Sequence, residues 1–153
     1  MMQKNICCFT GHSYIKDITL KEKIKKKAIE LIENAAVNEF WVGNYGDFDN
    51  YVASAIRDLK EYYPDIQLNL IIPYLTKDIN EYKELYYKKY DHIIMADMPL
   101  NTPQRYKIIK ANQFMIDNCE HLICYIEHSW GGAAKTLEYA QNKHNLEIYN
   151  LAE

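Results

Sequence analysis

Short unbroken apolar runs alternate along the chain with longer stretches in which apolar positions recur every three or four residues. The first pattern belongs to parallel strands buried on both faces, the second to the helices that cover them. Six strands are predicted, at Asn5–Thr10, Glu39–Gly43, Ile66–Pro73, His92–Met95, His121–Ile126 and Leu146–Tyr149. Five helices fall between them, at Leu20–Ala36, Asp49–Tyr63, Asn80–Tyr90, Pro103–Asn118 and Ala133–His144. This βαβαβαβαβαβ order predicts an α/β fold, a doubly wound, mainly parallel six-stranded sheet with helices on both faces.

Local chemistry sharpens some boundaries. Thr19 followed by Glu22 has the spacing of a capping box at the start of the first helix. Thr102 before Pro103 reads as an N-cap with proline at the first helical position, where its missing N–H is no loss. No Gly/Ser-rich linker, repeat or low-complexity tract interrupts the 153 residues, so residues 1–153 are expected to form one domain.

Composition removes several classes of function. With 48% hydrophobic residues and no long apolar run, a membrane span is not expected. The residues from Met1 to Asn5 run straight into the first strand, which is too short and wrongly flanked for a secretory signal, so the expected location is the cytoplasm. Cys7, Cys8, Cys119 and Cys124 have neither zinc-knuckle spacing nor the density of a disulfide scaffold and read as reduced and buried. No metal site and no cofactor are expected. The net charge of −3 argues against a dedicated nucleic-acid binder. The one basic cluster, Lys21, Lys23, Lys25, Lys26 and Lys27, lies opposite the apolar face formed by Leu20, Ile24, Ala28, Leu31 and Ala35, and reads first as a solvated helix face.

In a doubly wound sheet, ligands bind beyond the carboxyl ends of the strands, where helix amino termini present unpaired N–H groups. Three loops therefore carry the candidate chemistry. The first holds Thr10, Gly11, His12 and Ser13, with a glycine for a sharp turn or a close backbone approach. The second runs from Gly43 and Asn44 through Gly46 to Asp49, which either caps the second helix or accepts a ribose hydroxyl. The third, from His128 through Ser129, Trp130, Gly131 and Gly132 to Lys135 and Thr136, opens the last helix. Its two glycines clear side chains from the place where a phosphate would meet backbone N–H groups, and Lys135 and Thr136 would add polar contacts. Neither a Walker motif nor a G-x-G-x-x-G fingerprint occurs.

Taken in order, Cys8-Phe9-Thr10-Gly11-His12, Gly46-Asp47-Phe48-Asp49, Ile71-Ile72-Pro73-Tyr74, Asn112-Gln113-Phe114-Met115-Ile116-Asp117, and Gly131-Gly132 with Thr136-Leu137-Glu138-Tyr139-Ala140 resemble the YpsA-like (DUF1273) branch of the SLOG superfamily. That superfamily also includes Lonely-guy-type and DprA-like Rossmann domains. The resemblance covers almost the whole chain and implies a Rossmann-like domain that binds nucleotides, nucleotide sugars or signals derived from NAD and ADP-ribose. It adds Asn112 to the ligand-binding residues. Glu138 matches the last Glu of the enzymatic relatives' P-G-G-x-G-T-x-x-E motif and would be the catalytic residue of a phosphoribohydrolase. Those enzymes place an arginine where this chain has Ala111, and the motif's proline is replaced by Trp130. Arg57 and Arg105 are the only arginines, and Arg105 lies at the start of the same helix as Ala111.

The expected function is sensing or sequestering a nucleotide-derived small molecule, such as an ADP-ribose/NAD-derived or cyclic nucleotide signal, without efficient turnover. The alternatives are a nucleotide N-glycosidic hydrolase and a protein- or nucleic-acid-associated module. Tyr82, Tyr86 and Tyr90 share one helix face, suited to sheet packing or to the seam of a homodimer or higher homo-oligomer.

Overall fold

The computed structural model describes residues 5–153; the reading of residues 1–4 as free of a leader lies outside the described residues. The chain runs β1 (Ile6–Gly11), α1 (Leu20–Ala35), β2 (Glu39–Val42), α2 (Asp47–Lys60), β3 (Gln67–Ile72), α3 (Lys77–Glu81), α4 (Lys83–Lys89), β4 (His92–Met95), α5 (Lys107–Asp117), β5 (His121–Tyr125), α6 (Gly132–Gln141) and β6 (Glu147–Asn150). All strands are parallel, in the order β4-β3-β2-β1-β5-β6. The α/β fold expected from the alternating pattern is present, and every predicted strand is found, with ends shifted by no more than a residue or two.

Side chains alternate across β1, so its two faces bury different partners. Cys7 and Phe9 join the core beneath α1 and α2, with Leu20, Ile24, Phe40, Phe48 and Ile56. Ile6 and Cys8 join the core beneath α5 and α6, with Trp41, Ile71, Ala111, Met115 and Leu122. The helices thus cover both faces. Cys7, Cys8 and Cys124 are buried and Cys119 is half-buried, and all four are free thiols. No helix among the described residues is long and apolar enough to cross a membrane.

Four local expectations are corrected. Thr19 does not cap α1: its own backbone is helical, and both its N–H (2.9 Å) and its hydroxyl (2.5 Å) donate to Asp17. Thr102 does not cap α5: its hydroxyl donates to the Pro99 carbonyl at 2.6 Å, and a short 3-10 turn at Gln104–Tyr106 precedes the helix. α2 begins at Asp47, so Asp49 sits inside its first turn rather than at its cap. The predicted third helix starts earlier and is broken in two at Tyr82, whose backbone leaves the helical region. It starts earlier because the Thr76 side chain accepts the Ile79 N–H at 3.1 Å, a cap the apolar periodicity does not register. Tyr90 is buried and Tyr86 half-buried, while Tyr82 is exposed. All three line a groove of about 440 Å³ with Asn44 and Leu85.

The lysine cluster on α1 is largely neutralised. Lys21 and Lys25 both reach Asp58 at 2.9 Å, Lys23 reaches Asp17 at 2.7 Å and Lys27 reaches Glu30 at 2.8 Å. Such exposed pairs contribute little stability, but they leave less unmatched charge for a polyanion.

Candidate functional site

The strand order reverses direction at β1, whose neighbours are β2 on one side and β5 on the other. At such a switch point the following loops diverge and leave a crevice beyond the strand ends. Here it is a cavity of about 470 Å³, within the range of small-molecule sites. Its floor is the end of β1, Phe9 to Gly11, and its walls are the 12–14 loop, Tyr45 and Asp49, the α5 residues Ile108, Asn112 and Met115, and His128 with the segment from Trp130 to Ala133.

Two of the helix amino termini at this end of the sheet, those of α2 and α6, differ in what they have left to offer. The first amides of α2 are used internally: Asp47 N–H donates to the Ser13 carbonyl at 2.8 Å and Phe48 N–H to the His12 carbonyl at 3.4 Å. The Asp47 carboxylate returns the contact by accepting the Ile15 N–H at 2.9 Å, which pins the first loop to α2. At α6 the cap is Gly131, which has no side chain to bond with, and the N–H groups of Gly132, Ala133 and Ala134 have no partner among the described residues. These unsatisfied donors are where an anion would be held.

The glycines divide the same way. A Cβ on Gly11 would lie 2.6 Å from Cδ2 of the buried Phe48 ring, and one on Gly46 would lie 2.6 Å from Ser13 Cβ. Both residues serve tight internal packing, Gly11 while it also lines the cavity. A Cβ on Gly43 would meet the Asp49 carboxylate at 3.1 Å, so this glycine makes room for that side chain. Around Gly131 and Gly132 nothing lies within 4 Å of a built Cβ. Only this pair opens on free space.

Of the residues singled out from sequence, Thr10, Gly11, His12, Ser13, Asp49, Asn112, Gly131 and Gly132 line the cavity. Gly43, Asn44, Gly46, Ser129, Lys135, Thr136 and Glu138 do not. Asn44 faces the tyrosine groove instead. Thr136 is buried and spends its hydroxyl on the Gly132 carbonyl at 3.0 Å. Lys135 and Glu138 are exposed. Ala111 is buried in the core under α5, and the Arg105 guanidinium lies over the Tyr106 ring, 4.8 Å from its centre. No lysine or arginine among the described residues lines the cavity.

Sequence reasoning left Tyr14, Tyr45 and Trp130 out of the ligand site, although Trp130 belongs to the third loop. Trp130 stacks on His128 with ring centres 3.7 Å apart, and His128 stacks on His12 at 3.9 Å. The ladder joins the loops after β1 and β5, two strands that are adjacent only in the folded sheet. His12 Nε2 accepts the Glu127 N–H at 2.9 Å, which requires that nitrogen to be unprotonated. Burial lowers the His12 pKa and the neighbouring His128 lowers it further, so this ring is neutral at pH 7.

Asp49 Oδ2 accepts the Tyr45 N–H at 2.9 Å. Burial outweighs that bond and raises its pKa to about 6. The folded protein therefore holds this proton more tightly than the unfolded chain does. Raising the pH from about 4 to about 6 costs stability through this group, and above 6 the penalty is constant. Asp49→Asn keeps an acceptor for Tyr45 and removes the charge. We expect it to stabilise the protein at pH 8 by about 1–2 kcal/mol, since the α2 amino terminus already offsets part of the burial penalty. The gain should vanish at pH 4, and urea melts at the two pH values test the difference.

The model of the YspA SLOG family matches residues 4–152. The chain belongs to this family. It is 24% identical over 139 residues to a UPF0398 protein of Bacillus cereus, spanning 86% of this chain and 74% of that one. It is 25% identical over 142 residues to the UPF0398 protein YpsA of Bacillus subtilis, spanning 85% and 77%. Among solved structures, DNA processing protein A of Streptococcus pneumoniae superposes with a TM-score of 0.61 at 15% identity over 90% of this chain. DNA processing protein A of Helicobacter pylori, whose structure concerns a single-stranded DNA binding mode, superposes with a TM-score of 0.64 at 14% identity over 94%. The chain covers 47% and 64% of those two proteins, which establishes a shared Rossmann-like fold over part of each.

Proposed function

We propose that the crevice binds a nucleotide-derived small molecule, of the ADP-ribose/NAD-derived or cyclic nucleotide type, and that residues 1–153 form one domain that senses or sequesters it without efficient turnover. The observation that carries this reading is the open Gly131-Gly132 corner, whose unpartnered N–H groups border a cavity large enough for a nucleotide. Slow or absent turnover is supported by the surroundings. Glu138 lies outside the cavity lining, and no arginine reaches it to stabilise charge developing in a transition state.

A thermal-shift panel of nucleoside monophosphates, cyclic nucleotides, NAD and ADP-ribose tests this directly. A ligand at a hundred times its Kd adds about 2.7 kcal/mol of stability, which for a chain of this size raises Tm by about 5–10 °C. No shift with any member would overturn the reading, and chromatographic release of free base would replace it with the hydrolase.

A second reading, binding of single-stranded nucleic acid, is favoured by Tyr14, Tyr45 and Trp130, three exposed aromatic rings on the cavity. The Helicobacter pylori neighbour weakens the expectation against nucleic acid that the net charge suggested. Against it stand that charge and the paired lysines of α1. An oligonucleotide in the same panel, titrated at two salt concentrations, separates the two readings.

A further inference from the structure

The indole of Trp130 is 69% exposed although one of its faces is covered by His128. A large flat ring open on one face offers a surface on which another planar group can stack. The ladder below it, whose lowest ring is fixed by the Glu127 N–H, holds it in place. The open ring stands in the same cavity wall as the Gly131-Gly132 corner. A planar group laid on its outer face would form a fourth layer on His12, His128 and Trp130. Because no lysine or arginine among the described residues lines the cavity, charge attraction contributes little there, and a larger share of any affinity must come from apolar and stacking contacts.

We propose that Trp130 is the base-stacking platform of this site and so determines its specificity for a ligand that carries a nucleobase, in a free nucleotide rather than in a nucleic-acid strand. The inference rests on the nucleotide reading given above and adds to it the part of the ligand that is recognised.

The protein itself supplies the probe. Its two tryptophans differ sharply, since Trp41 is buried, stacked on Phe114 and donates its N–H to Glu39. Trp130→Phe therefore reports the Trp41 background and keeps a smaller stacking surface, whereas Trp130→Ala removes the platform. Both variants should fold, because the side chain is mostly exposed, and their melting temperatures check this.

Adenosine 5′-monophosphate, adenosine and ribose 5-phosphate are titrated into the three proteins. The expected result is quenching of Trp130 emission by the two base-bearing probes. Binding of the monophosphate should weaken about tenfold or more in Trp130→Ala and recover in part in Trp130→Phe. Ribose 5-phosphate should bind all three proteins alike. Undiminished binding of the monophosphate to Trp130→Ala, without quenching in the wild type, overturns the platform and leaves the nucleotide reading standing. Quenching by adenosine with no gain from the phosphate supports the platform and overturns the phosphate cradle. Silence of every probe overturns both. Tighter, salt-sensitive binding of a short single-stranded oligonucleotide than of the monophosphate overturns the free nucleotide as occupant.

Discussion

Gly46→Ala is expected to be the most damaging single methyl addition in the protein. Gly46 has φ 112° and ψ −171°, a region that only glycine occupies readily, and strain there is worth about 1–3 kcal/mol. A Cβ would also intrude on Ser13, within 2.6 Å of its Cβ and against its backbone, and such overpacking adds about 1–3 kcal/mol. The two effects together, about 4 kcal/mol, are a large fraction of the stability of a typical domain and lower Tm by roughly 8–16 °C. Gly131→Ala separates the causes. Gly131 occupies the same backbone region, with φ 95° and ψ 172°, but has nothing within 4 Å of a Cβ, so it should show the strain without the clash. Calorimetry on the two variants measures both. Equal losses would refute the claim that Ser13 is held against Gly46 by the amide bonds from α2.

That contrast shows where the sequence was informative. Buried parallel strands announce themselves as unbroken apolar runs, which made the four central strands legible; the edge strands β4 and β6 are only partly buried and were found from shorter apolar runs, and strict alternation with helices left little choice of fold class. Caps were less legible, because they depend on which of several nearby oxygens is best aligned. Thr19 and Glu22 have the capping-box spacing, yet Asp17 accepts the Thr19 N–H that the box would give to Glu22, and the helical backbone of Thr19 is not the extended one a capping residue adopts. At the site, the three loops were found because chain topology places them at one end of the sheet. The reasons for their glycines were not legible. Phe48 decides Gly11 and Ser13 decides Gly46, and each pair is distant in sequence. The His12-His128-Trp130 ladder was missed for the same reason: three rings contributed by two loops form a surface only after β1 pairs with β5.

Gly132→Ala should do the reverse of Gly46→Ala, sparing the fold and removing binding. Gly132 opens α6 without a positive φ, and a methyl there meets no atom within 4 Å. Alanine in a helical position in place of glycine stabilises by up to about 1 kcal/mol, less in a first turn, so Tm should stay level or rise slightly. The same methyl adds bulk next to the unpartnered N–H groups of Gly132, Ala133 and Ala134. A phosphate seated there would be pushed away from its donors. Hydrogen bonds to a charged group are worth about 1.5–3 kcal/mol, so the loss of one corresponds to roughly 10- to 100-fold in affinity. Titration calorimetry with the tightest ligand of the nucleotide panel provides the measurement. Unchanged affinity in a fully stable Gly132→Ala protein would place the phosphate elsewhere. A loss of affinity with stability retained would place it on the α6 amino terminus, because the substitution changes nothing else that the fold depends on.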